Sequence, residues 1–298
     1  MEFVKKKKEF RFDSRFVFNV VNAIILGGVS LLFIFLFMHI IALSLSNNVA
    51  IASNVVGLFP KGFTFEAYKL LVNNDMFWGA FFRSVLRVVY ALVFVIPMVI
   101  ITAYPLSKYT DKMASRNFYM WFLFIPALLS GGVIPLFILI KELRMLNTLS
   151  ALVIPTSVSI FNVILLLNFI RQLPKEMLES ADLDGANEFV KLVKMVVPCS
   201  MPSIATITLF TLVGHWNSWF DGALFSTNTR YYPLQSYLQT IVIQQNFAGI
   251  TDPDRLKELS NRSMQTAQIV IAMLPVIIIY PFFQKFFMKG IVLGSVKG

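Results

Sequence analysis

The sequence predicts an all-α integral membrane protein, and its composition and segment pattern both support this fold class. Of the 298 residues, 57% are hydrophobic and only 14% are charged, with a mean hydropathy of +0.71. A soluble domain of similar length would carry about 25% charged residues. Apolar segments long enough for a helix of about 20 residues to cross the hydrocarbon layer recur along the chain. We therefore expect a multi-pass protein with six transmembrane helices.

The six predicted spans divide the chain into three regions. Residues 1–15 form a polar, basic and amphipathic N-terminal tail, residues 16–287 form the transmembrane domain, and residues 288–298 form a C-terminal tail. The longest polar interruption near the middle of the transmembrane domain is the loop 171–198. The predicted spans are residues 16–45, 77–104, 117–140, 151–169, 198–225 and 264–287.

The distribution of basic residues predicts the orientation. Sixteen of the 26 Lys and Arg residues lie in the tails, in the loop 105–116 and in the loop 171–198, or beside them. Short cytoplasmic loops carry such an excess of Lys and Arg. Both termini and the loop 171–198 are therefore expected in the cytoplasm. This topology explains the net charge of +10 without a nucleic-acid partner, and the basic N-terminal tail is expected to contact anionic lipid headgroups.

The loop 171–198 has the sequence of a helix-turn-helix. Pro174 can open a first helix, because its missing N–H would be unpaired in a first turn anyway. Gly185 can adopt the left-handed conformation that ends one helix and redirects the chain. A second helix is predicted from Ala186 to Val197, ended by Pro198 and Pro202. Two short amphipathic helices between membrane spans predict a docking surface for a cytoplasmic partner.

The same loop resembles a known motif. The run Glu179-Ser-Ala-Asp-Leu-Asp-Gly185, then Ala186 and Pro198, is similar to the "EAA" loop of ABC importer permeases, and the form Asp-Gly-Ala is typical of carbohydrate importers. Ser180 departs from the usual Ala. The segments 103–108, 216–220 and 281–298 also resemble this family, in its maltose-permease G type, and residues 232–242 resemble its LplC/YtcP branch, which is associated with oligosaccharides and polysaccharide fragments.

The resemblance implies a type I ABC importer permease fold in the bacterial cytoplasmic membrane. It also implies a second, related permease, two ABC ATPase subunits that bind ATP and Mg²⁺, and an extracytoplasmic solute-binding protein. The chain itself is expected to be non-catalytic and free of cofactors, since it contains no Gly-x-x-x-x-Gly-Lys-Ser/Thr phosphate loop. The residues expected to couple it to the ATPases are Glu179, Ser180, Ala181, Asp184, Gly185, Ala186, Pro198, Ser295 and Lys297.

A polar path for an oligosaccharide substrate needs aromatic, amide or hydroxyl groups within the spans. Arg83 and Arg87 would be unfavourable facing lipid, so we expect them to snorkel outward or to face water, where they could favour an anionic oligosaccharide. His39 and His215 are expected to be satisfied polar groups between helices. Helix packing is the alternative role for each aromatic or amide candidate. The candidates for the path are Trp216, Asn217, Trp219, Asn162, Asn168, Arg83 and Arg87.

Three alternatives to a carbohydrate importer remain at the level of sequence. The docking loop is shared across importers, so the solute could be a peptide or a phosphonate. The loop could also bind a cytoplasmic protein in a signalling or assembly partner that moves no solute. An ion-coupled carrier is the third alternative, but such carriers usually bury carboxylates at mid-membrane, and the predicted spans are almost free of acids except for Asp221.

Overall fold

The computed structural model describes residues 14–108, 113–129, 131–247 and 255–295, and every regular element within these ranges is helical. The predicted tail 1–15 lies almost wholly outside the described residues, as does the end of the tail 288–298. The α-helices are α1 (Ser14–Ser44), α2 (Asn48–Ala52), α3 (Glu66–Val72), α4 (Asp75–Ser107), α5 (Arg116–Leu128), α6 (Val133–Glu142), α7 (Leu149–Val153), α8 (Ile160–Ile170), α9 (Lys175–Leu183), α10 (Glu188–Lys191), α11 (Val197–Cys199), α12 (Met201–Asn217), α13 (Phe220–Phe225), α14 (Leu234–Phe247) and α15 (Arg255–Ser295).

The chain divides into two compact units. The first comprises the described parts of residues 1–72 and 250–270, and the second those of residues 73–249 and 271–298. In the first unit, α1 is apolar and largely exposed along residues 15–37, as expected of a helix whose neighbours are lipid or other chains. His39 lies near its end, with Nδ1 2.8 Å from the Gly57 carbonyl oxygen, which confirms the satisfied polar role predicted for it.

Three described helices are long and apolar enough to cross a membrane, namely α1, α4 and residues 262–284 of α15. Three pairs of consecutive helices, each bent at a short break, are long and apolar enough when taken together. The number of membrane crossings within the described residues reaches six if each pair forms one crossing. The pairs are α5 with α6, residues 149–156 with α8, and residues 188–199 with α12. In the prediction from sequence the crossing that contains the last pair starts at Pro198, where the polar loop ends, and this boundary leaves Glu188 and Lys191 outside the predicted membrane-spanning segments.

Three of the predicted spans are broken helices in the structure. The third is interrupted near Gly132, which has a φ of +86°, and the fourth bends by 49° beyond Pro155. The fifth ends as α12 at Asn217 and resumes as α13, because Ser218 between them is extended, with φ −70° and ψ 124°. A glycine, a proline and an extended residue each break the helical hydrogen-bond ladder at a defined point.

The core of the second unit is built around α4, which packs against α8 and α12. Residues Ala91, Val95, Val99 and Ala103 recur every four positions and are at most 2% exposed. Residues four apart lie on one helix face, and small side chains let neighbouring helices approach closely. Leu166 of α8 and Ile207 of α12 are buried in the same cluster. The single long helix α4 therefore joins the cavity and the loop 171–198, which are described below.

Replacing Val99 in this stripe with Ala should lower the thermal stability of the purified protein in detergent. Val99 is fully buried, so removing two methyl groups leaves a cavity, which costs about 1–2 kcal/mol. Val93→Ala is the matched control, because Val93 lies on the same helix with 70% of its surface exposed. Equal melting temperatures for the two variants would contradict the packing described for α4.

Candidate functional site

The second unit contains a cavity of about 250 Å³ among α4, α8, α12 and the break before α13. Most of the side chains that line it are polar, which is unusual within membrane-spanning helices. Thr211 is one of the lining residues, and its hydroxyl is buried without a hydrogen-bond partner among the described residues. The lining residues are Arg87, Val95, Thr156, Ser159, Asn162, Phe210, Thr211, Gly214, His215, Ser218 and Asp221.

A buried ion pair forms one end of this cavity. The guanidinium of Arg87, whose residue is 1% exposed, makes a two-pronged salt bridge to the Asp221 carboxylate. Arg87 Nε also donates to His215 Nδ1 at 3.3 Å, and Nη1 donates to the Ser218 carbonyl oxygen at 3.3 Å. Arg87 therefore does not snorkel outward, because it is buried in the cavity lining and its charge is matched inside the protein. His215 is a satisfied polar group, as predicted.

The same contacts explain the break between α12 and α13. The Ser218 hydroxyl donates to Asp221 Oδ1 at 2.7 Å, and the Gly222 amide donates to the same oxygen at 2.8 Å. These bonds hold the first turn of α13 around the carboxylate that binds Arg87. The arginine of α4 thus fixes the position of the helix break beside the cavity.

Of the seven residues predicted to line a substrate path, Arg87 and Asn162 reach the cavity. Trp216 is 4% exposed, and its Nε1 donates to the Ala272 carbonyl oxygen at 3.1 Å, so it packs between helices, which was the alternative role for it. Arg83 is half-buried, donates to the Arg230 carbonyl oxygen and lies over the Tyr231 ring. The other three are exposed and lie outside the cavity lining: Asn168, Asn217 and Trp219.

The loop 171–198 folds as the predicted helix-turn-helix. Helix α9 begins directly after Pro174, and Gly185 ends the turn with a φ of +73°. The Ala186 amide then donates to the Ala181 carbonyl oxygen at 2.9 Å, which closes the helix end. Asn187 caps α10 through its side chain, which accepts from the Val190 amide at 2.8 Å. The second helix continues as a π-helical turn at 192–196 and passes Pro198, so it ends two residues later than predicted.

The loop presents both polar and apolar side chains at its surface. Glu179, Ser180 and Asp184 are exposed, whereas Ala181 is buried at 5%. Leu183 is 89% exposed and Phe189 is 72% exposed, on either side of the glycine turn. Large exposed apolar side chains in a polar loop are candidates for contact with a partner protein or with the membrane. Among the other coupling residues predicted, Ala186 is half-buried, Pro198 is exposed, and the side chains of Ser295 and Lys297 lie outside the described part of the chain.

A cluster of polar contacts joins this loop to the end of α4, and we call its members Tyr104, Lys108, Asp182, Glu188 and Lys191 the Glu188 cluster. Glu188 Oε2 accepts from the Tyr104 hydroxyl at 2.7 Å and from Lys108, while Oε1 accepts from Lys191 Nζ at 2.8 Å. Lys191 also pairs with Asp182 of α9.

These contacts shift two pKa values in opposite directions. Partial burial acts to raise the pKa of Glu188, but the hydrogen bonds from Lys108, Lys191 and Tyr104 outweigh it and lower the pKa from 4.5 to about 2. The hydrogen bonds to Asp182 and then Glu188 raise the pKa of Lys191. Both groups are therefore held in their charged forms.

Sequence reasoning missed the Glu188 cluster and the partners of Arg87. Tyr104 and Lys108 lie in a segment that was singled out only for its family resemblance, and their partner Glu188 is 84 and 80 residues away, respectively. The available signal was the i, i+4 spacing of Tyr104 and Lys108 at the end of an apolar helix, which places both on one face. A carboxylate in the first turn after Asn187 was the matching signal in the loop.

Comparison with known proteins identifies the family. Residues 70–292 match the family described as the inner membrane component of binding-protein-dependent transport systems. The chain belongs to this family. The match covers α4 through most of α15 and includes both the cavity and the loop, and it confirms the resemblance to ABC importer permeases inferred from the loop motif.

Two relatives from Bacillus subtilis (strain 168) align over most of this permease. Protein LplC is 36% identical over 284 residues, covering 95% of each chain. The polygalacturonan/rhamnogalacturonan transport system permease protein YtcP is 33% identical over 264 residues, covering 88% of this chain and 92% of its own. A chain from the crystal structure of a bacterial ABC transporter involved in the import of the acidic polysaccharide alginate superposes with a TM-score of 0.84 at 27% identity, covering 94% of this chain and 99% of its own.

Removing one partner of the Arg87–Asp221 pair should destabilise this permease more than removing both. Asp221→Asn leaves a buried guanidinium without its counter-charge, which costs about 3 kcal/mol. The double variant Arg87→Met/Asp221→Leu removes both charges and should retain more of the thermal stability in detergent. A double variant that melts at or below the single one would show that the pair is not the dominant interaction.

The Glu188 cluster should make a pH-dependent contribution to stability. The pKa of Glu188 in the folded protein, about 2, lies below its ordinary value of 4.5. The contribution of the ionised carboxylate to the free energy of unfolding is therefore complete above pH 4.5 and is lost as the pH falls towards 2. The carboxylate is 56% exposed, so solvent screening limits the effect to below about 1 kcal/mol.

The measurement is the difference in melting temperature between wild type and Glu188→Gln from pH 7 to pH 3. That difference should shrink as the pH falls. A difference that is constant with pH would exclude the ionised carboxylate as its source.

Proposed function

We propose that this chain is a non-catalytic translocation subunit of an ATP-driven importer of oligosaccharides or polysaccharide fragments. The observation that carries the proposal is the loop 171–198, a rigid helix-turn-helix with Leu183 and Phe189 exposed on either side of its glycine turn. Family membership gives this surface a role in a transport system. The relatives named for polygalacturonan and rhamnogalacturonan transport and for alginate import support a carbohydrate substrate.

In this proposal the energy comes from partner subunits. The sequence contains no phosphate-binding loop, so ATP and Mg²⁺ would bind to two ABC ATPase subunits. The loop docks on one ATPase, and closure of the ATPases on ATP binding moves the loop as a rigid body. A second, related permease forms the other half of the translocation path, and an extracytoplasmic solute-binding protein delivers the sugar. The Ser295–Lys297 end of the chain makes a further contact with the ATPases.

The cavity is the proposed part of the sugar path within this subunit. Thr211, Asn162 and Ser159 supply hydroxyl and amide groups of the kind that bond to sugar hydroxyls. The charge of Arg87 is matched by Asp221, so in this conformation the cavity offers hydrogen-bonding groups rather than an unpaired cation. The anionic preference that we inferred from the two arginines of α4 therefore has no support from Arg87.

The proposed orientation places both termini and the loop in the cytoplasm. The excess of Lys and Arg in these segments supports it, since such residues mark short cytoplasmic loops. The protein would be a multi-pass component of a bacterial cytoplasmic membrane, with its basic N-terminal tail against anionic lipid.

The coupling role can be tested at Gly185 in the reconstituted complex of both permeases, the ATPases and the solute-binding protein. Gly185→Pro cannot adopt the φ of +73°, so the loop helices lose their relative orientation. We expect ATPase stimulation by the sugar-loaded binding protein to fall about tenfold or more, a size typical of coupling between sites. Glu179→Lys should weaken docking in the same assay.

Gly185→Asn is the matched control, because Asn is the side chain that best tolerates the left-handed conformation. It should keep most of the stimulation. No ATPase in the purified complex, or wild-type stimulation in Gly185→Pro, would reject the coupling role and favour a signalling or assembly partner. A peptide recovered by mass spectrometry from the binding protein, in place of a glycan, would reject the carbohydrate substrate.

A further inference from the structure

The carboxylate of Glu188 accepts hydrogen bonds that connect the loop 171–198 to helix α4. Tyr104 and Lys108 stand in the last turn of α4 and directly after it, and both donate to Glu188 Oε2. Lys191, one turn further along the loop helix, donates to Oε1. One carboxylate oxygen is therefore held by the end of α4, and the other is held by the loop helix α10.

The loop is also fixed internally. Lys191 pairs with Asp182 across the glycine turn, and this pair links α10 to α9. The Lys191 side chain is only 8% exposed, so its two ionic contacts are partly shielded from solvent. The two helices of the loop are therefore held as one body, and Glu188 links that body to α4.

The end of α4 is also hydrogen-bonded to residues at the ends of two neighbouring helices. Its Leu106 carbonyl oxygen accepts from Arg116 Nε at 2.9 Å, and its Ser107 carbonyl oxygen accepts from Arg171 Nε at 3.1 Å. Arg116 begins α5 and Arg171 follows α8. These arginines bind the last carbonyls of a helix, where cations are favoured. A displacement of the α4 end is thus shared with two further helices.

We propose that Glu188 is the positioning residue that transmits movement of the loop helices α9 and α10 to α4. This inference rests on the proposed function, because it requires the loop to be moved by a partner. Apolar contacts around Leu178 and Leu192 also join the loop to the core, but apolar surfaces are non-directional and can slide. Charge-assisted hydrogen bonds have fixed donors and angles, so they resist sliding.

The test compares transport with ATP hydrolysis in the same proteoliposomes, using the complete complex. Glu188→Ala should leave the ATPases bound and active but lower the amount of sugar transported per ATP by about fivefold at most, because solvent screening weakens the hydrogen bonds to this exposed carboxylate. Glu188→Gln keeps an acceptor for Tyr104 and should lie between Ala and wild type. Tyr104→Phe removes one donor and should show a smaller decrease in the same ratio.

Glu142→Ala is the matched control. Glu142 is an exposed carboxylate at the end of α6, outside the loop 171–198 and outside the cavity lining. It should keep the wild-type ratio of sugar to ATP. A purely structural role for Glu188 would instead lower the amount of complex recovered, with an unchanged ratio in what remains.

The outcomes separate this inference from the proposed function. If wild-type complex transports glycan and Glu188→Ala keeps the same ratio, the transmission role of Glu188 is overturned while the importer function stands. Loss of the ATPases from the Glu188→Ala complex also overturns it, because Glu188 would then serve docking. If wild-type complex hydrolyses ATP but moves no glycan, the failure lies with the proposed function.

Discussion

Much of the second unit depends on the unbroken packing of one helix, α4. Backbone polar groups inside a bilayer must be satisfied within the protein, so a long continuous helix is the simplest way to cross it. Arg87 and Tyr104 lie 17 residues apart on α4, which is about 26 Å at a rise of 1.5 Å per residue. Between them runs the buried stripe of Ala91, Val95, Val99 and Ala103. The cavity and the loop 171–198 are therefore connected by a single packed helix.

Pro97 interrupts the hydrogen bonds of α4 without interrupting this packing. It cannot donate to the Val93 carbonyl oxygen, so this turn lacks one hydrogen bond of the helical ladder. Pro97 and Val93 are both exposed, whereas the stripe lies on the other side of the helix. A bend at Pro97 would therefore open the exposed side and leave the contacts with α8 and α12 in place. Helix α4 therefore stays continuous through Pro97, between the cavity and the Glu188 cluster.

Local sequence rules predicted the features that depend on neighbouring residues. The helix-turn-helix was predicted from Pro174 and Gly185, and the structure contains both in those roles, whereas the second helix begins after the capping residue Asn187 and not at Ala186. The ion pair could not be predicted, because Arg87 and Asp221 are 134 positions apart and no periodic pattern links them. The same holds for Tyr104 and Glu188, 84 positions apart. Single charged residues in apolar spans show that a partner is required, but not which residue it is.

The matched charge beside the cavity changes how the cavity can bind a solute. An unpaired Arg87 would attract any anion strongly and release it slowly, whereas the Arg87–Asp221 pair presents a dipole whose bonds are already made. A solute then competes for the groups that remain, such as the hydroxyl of Thr211, which has no partner in the described residues. Hydrogen bonds of this kind are each worth about 1 kcal/mol net, so they favour hydroxyl-rich solutes without trapping them. In the proposed importer, weak, multiple and neutral contacts would suit a passage through which a long glycan slides.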